Sequence, residues 1–394
     1  MIFTVVLLVA LVGVGIWEYR SHQKTVYVIR HRIHVNGTRG KSSVTRLITG
    51  GLQRGGLRTL GKSTGTSPCY IDPDGTERAI FRAGKANILE QLKVVRRAVA
   101  EKVDALVVEC MAVLPQNQLL AERQIIHSTV GVITNARADH LDEMGPTVAD
   151  VARSLANTIP YGGICFTSEQ QHFAVLEAVA RERKSEIRCV SAEAITPEMT
   201  RGFSYLEHRD NIALALAVCR HFGVSEADAL AGMQGAVPDP GVLRIYRIRY
   251  FDKEIEFVNA FAANDPDSYV VIWDLMRPYF TPQKPVIVIV NCRKDRIQRT
   301  ESMADLIVNR IAADHFILVG ECTTALENRL LSLGYPHQKV KNLDTPPVEA
   351  VFQEVVGMTP GASVVIGIGN IVGYGEELVQ NFANKGVEHV YRSS

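Results

Sequence analysis

The chain opens with a hydrophobic segment that differs from everything after it. Residues 2–17 are almost entirely apolar and uncharged, and Arg20 and Lys24 follow soon afterwards. A helix that spans a bilayer needs about 20 apolar residues, with roughly 17 as the usual lower limit. Trp17 suits a membrane interface, and the basic residues beyond it favour a cytoplasmic C-terminal side. The pattern predicts a single-pass transmembrane anchor over residues 1–20; the alternative is a buried first helix of a soluble fold.

After residue 25, short β-branched runs alternate with longer helical stretches. This alternation predicts mostly parallel sheets covered by helices on both faces. The predicted strands are 25–36, 105–109, 129–134, 163–166, 255–259, 286–290, 315–319 and 363–368. The predicted helices are 89–101, 148–158, 173–183, 211–222 and 303–312. The Pro- and Gly-rich stretch AVPDPGVLR (236–244) separates two such blocks, which predicts domains over 25–238 and 239–394.

Composition and charge narrow the class of protein. The 394 residues are 46% hydrophobic, enough to build a large core. Basic residues number 43 and acidic residues 42, so no bulk field attracts nucleic acid, and no nucleic-acid partner is expected. The seven cysteines are scattered and form no C-x-x-C pair, which favours reduced thiols over a disulfide framework or a zinc site.

The stretch VNGTRGKSSVTR (35–46) follows a β-branched run and leads into a helical one. The general phosphate-loop pattern G-x-x-x-x-G-K-[ST] fails at its first glycine, where Val35 stands. The tighter form G-x-x-G-K-S-S is intact. Glycines let backbone N–H groups turn toward an anion at a helix N-terminus; Lys41 can neutralise phosphate oxygens and Ser42 can ligate Mg²⁺. The sequence predicts a nucleotide site; the alternative is an ordinary glycine turn with a surface lysine.

Two further motifs accompany this loop. ALVVECMAV (105–113) carries Glu109 at the end of a predicted strand, and VITNARADHLDEMG (132–145) contains N-x-x-x-D-H-L-D. Together with G-T-x-G-K-S-S, they resemble the Mur ligase superfamily, which makes amide bonds through acyl-phosphates. The chain is more similar still to the ligase subunits of bacterial poly-γ-glutamate synthases, the PgsB/CapB family, at LGKSTGT, VPDPG, FAANDPDS, VNCRKDR and IGIGNI.

The resemblance implies a fold and a set of site residues. The expected fold is α/β: an N-terminal transmembrane helix, a Mur-ligase-like P-loop ATPase domain with a mostly parallel sheet, and a smaller Rossmann-like C-terminal domain. Ser42 and Glu109 would ligate one Mg²⁺, and His140 a second one nearer the acyl group. From the residues alone, Glu109 is also readable as a plain strand-end acid and His140 as the cap of a turn. Lys41, Glu109 and His140 are the expected catalytic residues.

Further positions are carried over from the same resemblance. The expected nucleotide-binding residues are Gly37, Thr38, Arg39, Gly40, Lys41, Ser42, Ser43, Asn135 and Asn211. The expected substrate-binding residues are Thr64, Gly65, Thr66, Arg293 and Arg296, with Lys294 beside the last two. The alternative for residues 64–66 is an ordinary polar loop, and the alternative for residues 293–296 is a solvated run of charges. Many superfamily members carry a carbamylated lysine after the motif histidine, but residues 148–161 contain no lysine.

The implied function is an ATP-dependent amide ligase that elongates poly-γ-glutamate. It would form a γ-glutamyl phosphate, accept glutamate as the attacking amine, and release ADP and phosphate, using ATP and two Mg²⁺. The implied partners are glutamate, the poly-γ-glutamate chain and small PgsC/CapC-like and PgsA/CapA-like subunits in the inner membrane; a homo-oligomer is left open. The alternatives are a membrane-associated P-loop ATPase that drives transport or regulation, and a Mur or folylpolyglutamate-type ligase with another substrate.

Overall fold

A computed structural model describes residues 2–65, 68–82, 87–203, 205, 207–238, 243–261, 266–277, 280–294, 297–371 and 373–389. The chain divides into two compact units. The first comprises Met1–Phe203 and Glu207–Asp239, and the second comprises Ser204–Leu206 and Pro240–Ser394. Each unit is built around its own sheet.

The apolar N-terminal segment forms a long helix, α1 (Ile2–Val26). By length and composition it is apolar enough to cross a membrane, and its apolar part is exposed throughout. The predicted strand 25–36 is wrong over its first part, because residues 25–26 end this helix and the strand begins at residue 31. The β-branched Val26 favours a strand by its own preference, but it is fully buried where the helix packs on the first unit.

The first unit contains an eight-stranded sheet in the order β4-β3-β2-β5-β1-β6-β7-β8. Its strands are β1 (His31–Asn36), β2 (Thr59–Ser63), β3 (Cys69–Ile71), β4 (Glu77–Ala79), β5 (Ala105–Glu109), β6 (Val130–Ile133), β7 (Ile164–Thr167) and β8 (Glu186–Cys189). Only β3 and β4 run antiparallel to their neighbours. The carboxyl ends of β2, β5, β1 and β6 therefore lie side by side at one edge, where ligands of such sheets bind.

Helices cover both faces of this sheet. They are α2 (Lys41–Arg54), α3 (Glu90–Ala100), α4 (Pro115–Leu120), α5 (Leu141–Met144), α6 (Val148–Leu155), α7 (Phe173–Glu182), α8 (Pro197–Arg201), α9 (Arg209–His221) and α10 (Glu226–Gly235). A π-helical turn (Ala121–Ile126) continues α4, and 3-10 turns occupy Ala156–Thr158 and Ala192–Ala194. On one face, α3 packs Val94, Val95 and Ala98 against Leu106 and Val108 of β5.

One face of β1 carries polar side chains at alternate positions, all of them buried. Each makes a hydrogen bond to the segment formed by α4, the π-helical turn and His127 directly after it. The bonds run from Asn36 Nδ2 to Gln118 Oε1 (3.0 Å), from His34 Nδ1 to Glu122 Oε2 (2.8 Å), and from Arg32 Nε to His127 O (2.7 Å). This polar ladder fixes the strand that leads into the phosphate loop.

The same π-helical turn holds the end of α1. The ring nitrogen His22 Nε2 lies 2.9 Å from the carbonyl oxygen of Ile125, and Gln23 donates to the carbonyl oxygen of Gln124 at 3.1 Å. Together with the buried side chain of Val26, these bonds attach the helix to the first unit.

The second unit contains a seven-stranded sheet in the order β13-β12-β11-β14-β10-β9-β15. Its strands are β9 (Arg244–Tyr250), β10 (Lys253–Asn259), β11 (Val286–Cys292), β12 (His315–Gly320), β13 (Val340–Asp344), β14 (Ala362–Gly369) and β15 (Gly386–His389). Its helices are α11 (Pro266–Met276), α12 (Ile297–Arg310), α13 (Thr323–Ser332), α14 (Val348–Met358) and α15 (Tyr374–Lys385), with a 3-10 turn at His337–Lys339. The five strands from β13 to β10 are parallel, and β9 and β15 add an antiparallel edge.

Candidate active site

The predicted phosphate loop, residues 37–40, connects β1 to α2, and its two glycines have conformations that other residues rarely adopt. Gly37 has φ +136° and Gly40 has φ +80°. A Cβ at Gly37 would lie 1.9 Å from Thr134 Oγ1, and one at Gly40 would lie 2.6 Å from Asn211 Oδ1. The glycines are thus required both by the backbone turn and by close neighbours. The second contact also places Asn211, at the start of α9, beside the loop, and its predicted contact with nucleotide stays a prediction.

Asn135 fixes the shape of this loop. Its Oδ1 accepts hydrogen bonds from Thr38 Oγ1 (2.7 Å) and from the backbone N–H of Arg39 (3.1 Å), while its Nδ2 donates to the carbonyl of Arg39 (3.2 Å). Its own carbonyl accepts from the N–H of Thr38 at 3.0 Å. Asn135 therefore braces the loop from the adjacent strand end, and its direct contact with nucleotide stays a prediction.

Lys41 begins α2 and folds back over the loop. Its Nζ donates to the carbonyl oxygens of Gly37 (2.6 Å) and Thr38 (3.2 Å). Burial lowers the pKa of the Lys41 ammonium, and the negative charge of Glu109 acts in the opposite direction. An ammonium has three donors, so the third can be given to an anion at the helix N-terminus without breaking either loop bond. Ser43 follows in the same half-buried first turn.

Glu109 ends β5 and joins three neighbouring segments. Ser42 of the phosphate loop donates to both of its carboxylate oxygens at 3.1 and 3.0 Å. Ser63 donates its hydroxyl to Oε2 at 3.0 Å, and the backbone N–H of Thr64 donates to the same atom at 2.6 Å. Glu109 is 2% exposed. A carboxylate beside a hydroxyl at a phosphate loop is the oxygen-rich donor set that suits Mg²⁺, so these residues fit a divalent cation.

His140 lies on the loop after β6, at the N-cap position of α5, with φ +49°. Its side chain makes no capping hydrogen bond, so the cap alternative holds for its position but not for its ring. The ring is 39% exposed, 3.9 Å from Asp139 and 3.6 Å from Glu143. Within the described ranges, no group of three or more His, Cys, Asp or Glu side chains is arranged to hold a metal ion. The metal role of His140 stays a prediction.

The remaining predicted residues fall into three groups. Thr64 lies at the site through its backbone bond to Glu109, with Gly65 directly after it. Thr66 and Arg296 lie outside the described residues. In the second unit, Arg293 and Lys294 follow the carboxyl end of β11; Lys294 pairs with Glu321 at 3.2 Å.

Sequence reasoning missed a charged cluster beside Glu109. Lys62, one residue before Ser63, is fully buried and lies 3.0 Å from Glu90, which Arg82 also contacts. The only signal was a lysine within LGKSTGT, a motif whose hydroxyl groups carry the substrate prediction. The pairing itself could not be read from the sequence, because the partner lies on a different element.

Comparisons with known proteins identify the family of this chain. Residues 35–217 match the Mur ligase middle domain, and residues 245–385 match the poly-gamma-glutamate synthase CapB C-terminal domain. The chain is 39% identical over 373 residues to the capsule biosynthesis protein CapB of Bacillus anthracis, covering 94% of this chain and 80% of that protein. It is 36% identical over 369 residues to PGA synthase CapB of Bacillus subtilis (strain 168), covering 93% and 94% respectively.

Among solved structures, the fold resembles that of the bifunctional folylpolyglutamate synthase/dihydrofolate synthase from Yersinia pestis, complexed with AMPPNP and a Mn ion. The TM-score is 0.65 at 15% identity, and the match covers 92% of each chain. The α/β fold class predicted from the sequence is confirmed, and so is the predicted family. The chain belongs to the CapB family of poly-γ-glutamate synthases and has the Mur ligase fold.

Proposed function

We propose that this protein is the ATP-dependent amide ligase of poly-γ-glutamate synthesis. The proposal rests on the hydrogen bonds of the Glu109 carboxylate. It accepts from Ser42, directly after the predicted phosphate loop, and from the backbone N–H of Thr64 in the loop after β2. A divalent ion on Glu109 and Ser42 would meet the phosphates on one side, and the adjoining loop would present the carboxylate to be activated on the other. The AMPPNP and Mn ion of the Yersinia pestis protein with this fold support the same assignment.

The reaction joins a carboxylate to an amine, which is uphill in water unless the carboxylate is first activated. An oxygen of the donor γ-carboxylate attacks the γ-phosphorus of ATP, and the bond from that phosphorus to the bridging oxygen breaks, releasing ADP. The glutamate nitrogen then attacks the acyl carbon, the bond from that carbon to the phosphate oxygen breaks, and the nitrogen loses its proton. Positioning and charge neutralisation account for most of the catalysis in such phosphoryl transfers.

Residues of this chain have distinct parts in those steps. The N–H groups of Gly40, Lys41 and Ser42 at the start of α2 and the third donor of Lys41 bind the phosphates. Asn135 keeps the loop in shape by accepting the N–H groups of Thr38 and Arg39. Ser42 and Glu109 would hold Mg²⁺, which neutralises charge on the transferring phosphoryl group. His140 would ligate a second Mg²⁺ toward the acyl group, on a loop tied to the phosphate loop by the Arg39–Asp139 pair at 3.5 Å.

The apolar part of α1 would span the inner membrane once, with both folded units in the cytoplasm. Small membrane subunits of the synthase would lie beside it, and Thr64, Gly65, Thr66, Arg293 and Arg296 would contact the glutamyl substrates. These assignments are supported by the exposed apolar length of the helix and by membership of the family.

The test is phosphate release by the purified membrane complex, measured with each amino acid in turn and followed by analysis of the product linkage. Glutamate-dependent turnover that yields γ-linked product is expected. Turnover that needs only a membrane partner, with no new amide bond, would replace the ligase by a transport or regulatory ATPase. Turnover with a different amino acid would indicate a ligase of another substrate class.

A further inference from the structure

Two cations converge on one carboxylate at the carboxyl end of β2, on the sheet face that α3 covers. Lys62 is 0% exposed, and its Nζ lies 3.0 Å from Glu90 Oε1 in the first turn of α3. Arg82 approaches the same carboxylate with two hydrogen bonds, Nε to Oε2 at 2.8 Å and Nη2 to Oε1 at 3.1 Å. The other described contact of the Lys62 ammonium is the sulfur of Met111 at 3.6 Å.

The cluster of Lys62, Arg82 and Glu90 has an excess of positive charge once a metal ion is bound at Glu109. Burial lowers the pKa of Lys62, and the charge of Glu90 counters it. Burial likewise would raise the pKa of Glu90, but hydrogen bonds from Arg82 and the charge of Lys62 outweigh it and lower that pKa to about 2. The second carboxylate that acts on both cations is Glu109, which the proposed function assigns to the metal. A metal ion there would leave two cations facing one anion, and a buried excess charge favours an anionic ligand.

The cluster has donors to spare. An ammonium has three N–H groups and a guanidinium has five. Among the described residues, Lys62 uses two of its donors and Arg82 uses two of its own. Arginine can present a planar pair of N–H groups that matches a carboxylate, and charge-assisted bonds of this type are the strong ones.

The cluster lies next to Glu109, where the carboxylate of the substrate would be activated. Lys62 immediately precedes Ser63 and Thr64, which hold Glu109. Next to Glu90 in the chain, Gln91 is fully buried and its Nε2 lies 3.4 Å from the carbonyl oxygen of Glu109. Its Oε1 has no hydrogen-bond partner among the described residues. Two cations and an unpaired acceptor therefore lie together beside the predicted metal ligand.

We propose that Lys62 and Arg82 bind the free α-carboxylate of the glutamyl residue whose γ-carboxylate is activated. The inference rests on the proposed function and names what its donor site recognises. A γ-linked chain uses up the side-chain carboxylate of each residue and leaves one α-carboxylate on every residue, so the donor always carries this anion close to the reacting carbon. Glu90 holds the two cations in place, and their remaining N–H groups bind the substrate.

The experiment combines changes in the enzyme with a change in the substrate and measures each combination in the intact membrane complex. The donor is a short γ-linked glutamate oligomer, or the same oligomer with a carboxamide in place of the α-carboxylate of its donor residue. Arg82→Gln is the main variant because Arg82 is only partly buried, and Lys62→Met keeps the volume of the buried side chain. Arg97→Gln is the matched control, since Arg97 lies on the helix that carries Glu90, is exposed to a similar degree as Arg82, and pairs with Asp72 and Glu101 instead.

In the unaltered protein, the carboxamide should raise the KM for the oligomer by about tenfold to a hundredfold, the worth of a charge-assisted hydrogen bond. In Arg82→Gln and Lys62→Met, the same change should alter that KM less than about threefold, and the KM for ATP should stay as in the unaltered protein. In Arg97→Gln, the carboxamide should raise the KM for the oligomer as much as it does in the unaltered protein.

If both cluster variants still discriminate fully between the two oligomers, the charged cluster of Lys62, Glu90 and Arg82 is purely structural and the assignment is overturned. A different result would overturn the proposed function itself: no oligomer-dependent ATP turnover in the unaltered protein. Thermal unfolding of each variant separates lost recognition from lost folding, and because Arg82 is partly exposed its variant should unfold within a few degrees of the unaltered protein.

Discussion

The boundary between the predicted membrane anchor and the folded domain can be tested by two truncations. The first removes residues 2–20, and the second removes residues 2–29. Side chains up to residue 20 are exposed in the structure, whereas His22 and Val26 are 6% and 0% exposed and Ile29 is 1% exposed. The structure thus moves the functional boundary to just before His22, although the helix itself continues to Val26.

The two truncations differ in what they remove from the first unit. Fully burying a Val or Ile side chain stabilises a protein by about 1.5–3 kcal/mol, and a side-chain hydrogen bond contributes about 0.5–1.5 kcal/mol. The longer deletion loses Val26, Ile29 and the two bonds from His22 and Gln23 to the π-helical turn, a loss of roughly 4–9 kcal/mol. Since a domain is stable by about 5–15 kcal/mol, this loss removes a large part of its stability, while the shorter deletion costs almost nothing.

Membrane fractionation followed by thermal unfolding of the soluble fraction measures both effects. The protein lacking residues 2–20 should leave the membrane and unfold cooperatively near the temperature found for the detergent-solubilised full chain. The protein lacking residues 2–29 should be insoluble or unfold at a much lower temperature. If removal of residues 2–20 abolishes cooperative unfolding, the apolar segment is part of a core, and the anchor interpretation is wrong.

Three further predictions concern the site and its support. Lys41→Ala should abolish polymer synthesis while leaving the unfolding temperature nearly unchanged, because the loop loses the cation that faces the phosphates; unimpaired synthesis would contradict the nucleotide site. Glu109→Ala should weaken Mg·ATP binding itself, whereas His140→Ala should bind nucleotide normally but lose glutamate-dependent turnover, as separate affinity and rate measurements would reveal; normal synthesis by His140→Ala would reduce that residue to a turn position. Burial would lower the pKa of His34 from 6.5, but contacts with a cysteine thiol and with Glu122 outweigh it and raise that pKa to about 10. The folded protein then holds a proton that the unfolded chain releases above pH 6.5, so denaturant titrations should show the unfolding free energy falling by roughly 1.4 kcal/mol per pH unit from pH 6.5 toward 10. His34→Gln should lose that slope, and an unchanged slope would contradict the charged pair.

The features that the sequence predicts correctly are those with local signals. The loop over residues 37–40 lies between a strand and a helix, and Glu109 ends a strand, as the sequence predicts from residues adjacent in the chain. Their roles in binding phosphate and metal stay predictions. Four of the five parallel strands of the second unit, β10, β11, β12 and β14, begin and end within a few residues of their apolar runs for the same reason. Strands of this kind are buried on both faces and need no alternation to be recognised. The fifth strand, β13, was not predicted, because VKNLD has no apolar run and only its first residue is buried.

Features that depend on distant partners were not predictable. The strand β2 contains Lys62, and a lysine argues against a buried strand unless its partner Glu90 is known. Residues 25–26 are predicted as strand because β-branched residues favour strands, but packing of Val26 against the first unit decides for helix. Spacing alone likewise cannot say which way the ring of His140 faces.

The polar ladder along β1 joins two elements whose residues repeat at different distances along their axes. A strand advances about 6.6 Å for every two residues, whereas one α-helical turn advances about 5.4 Å. Strand positions 36, 34 and 32 are met by helical positions 118, 122 and 127, so the helical side counts four residues and then five. The π-helical turn supplies the fifth residue. Shortening that turn by one residue would put the helical side out of register at Arg32, beside the turn that holds the end of α1. The π-helical turn thus aligns one strand with the predicted phosphate loop at one end and with α1 at the other.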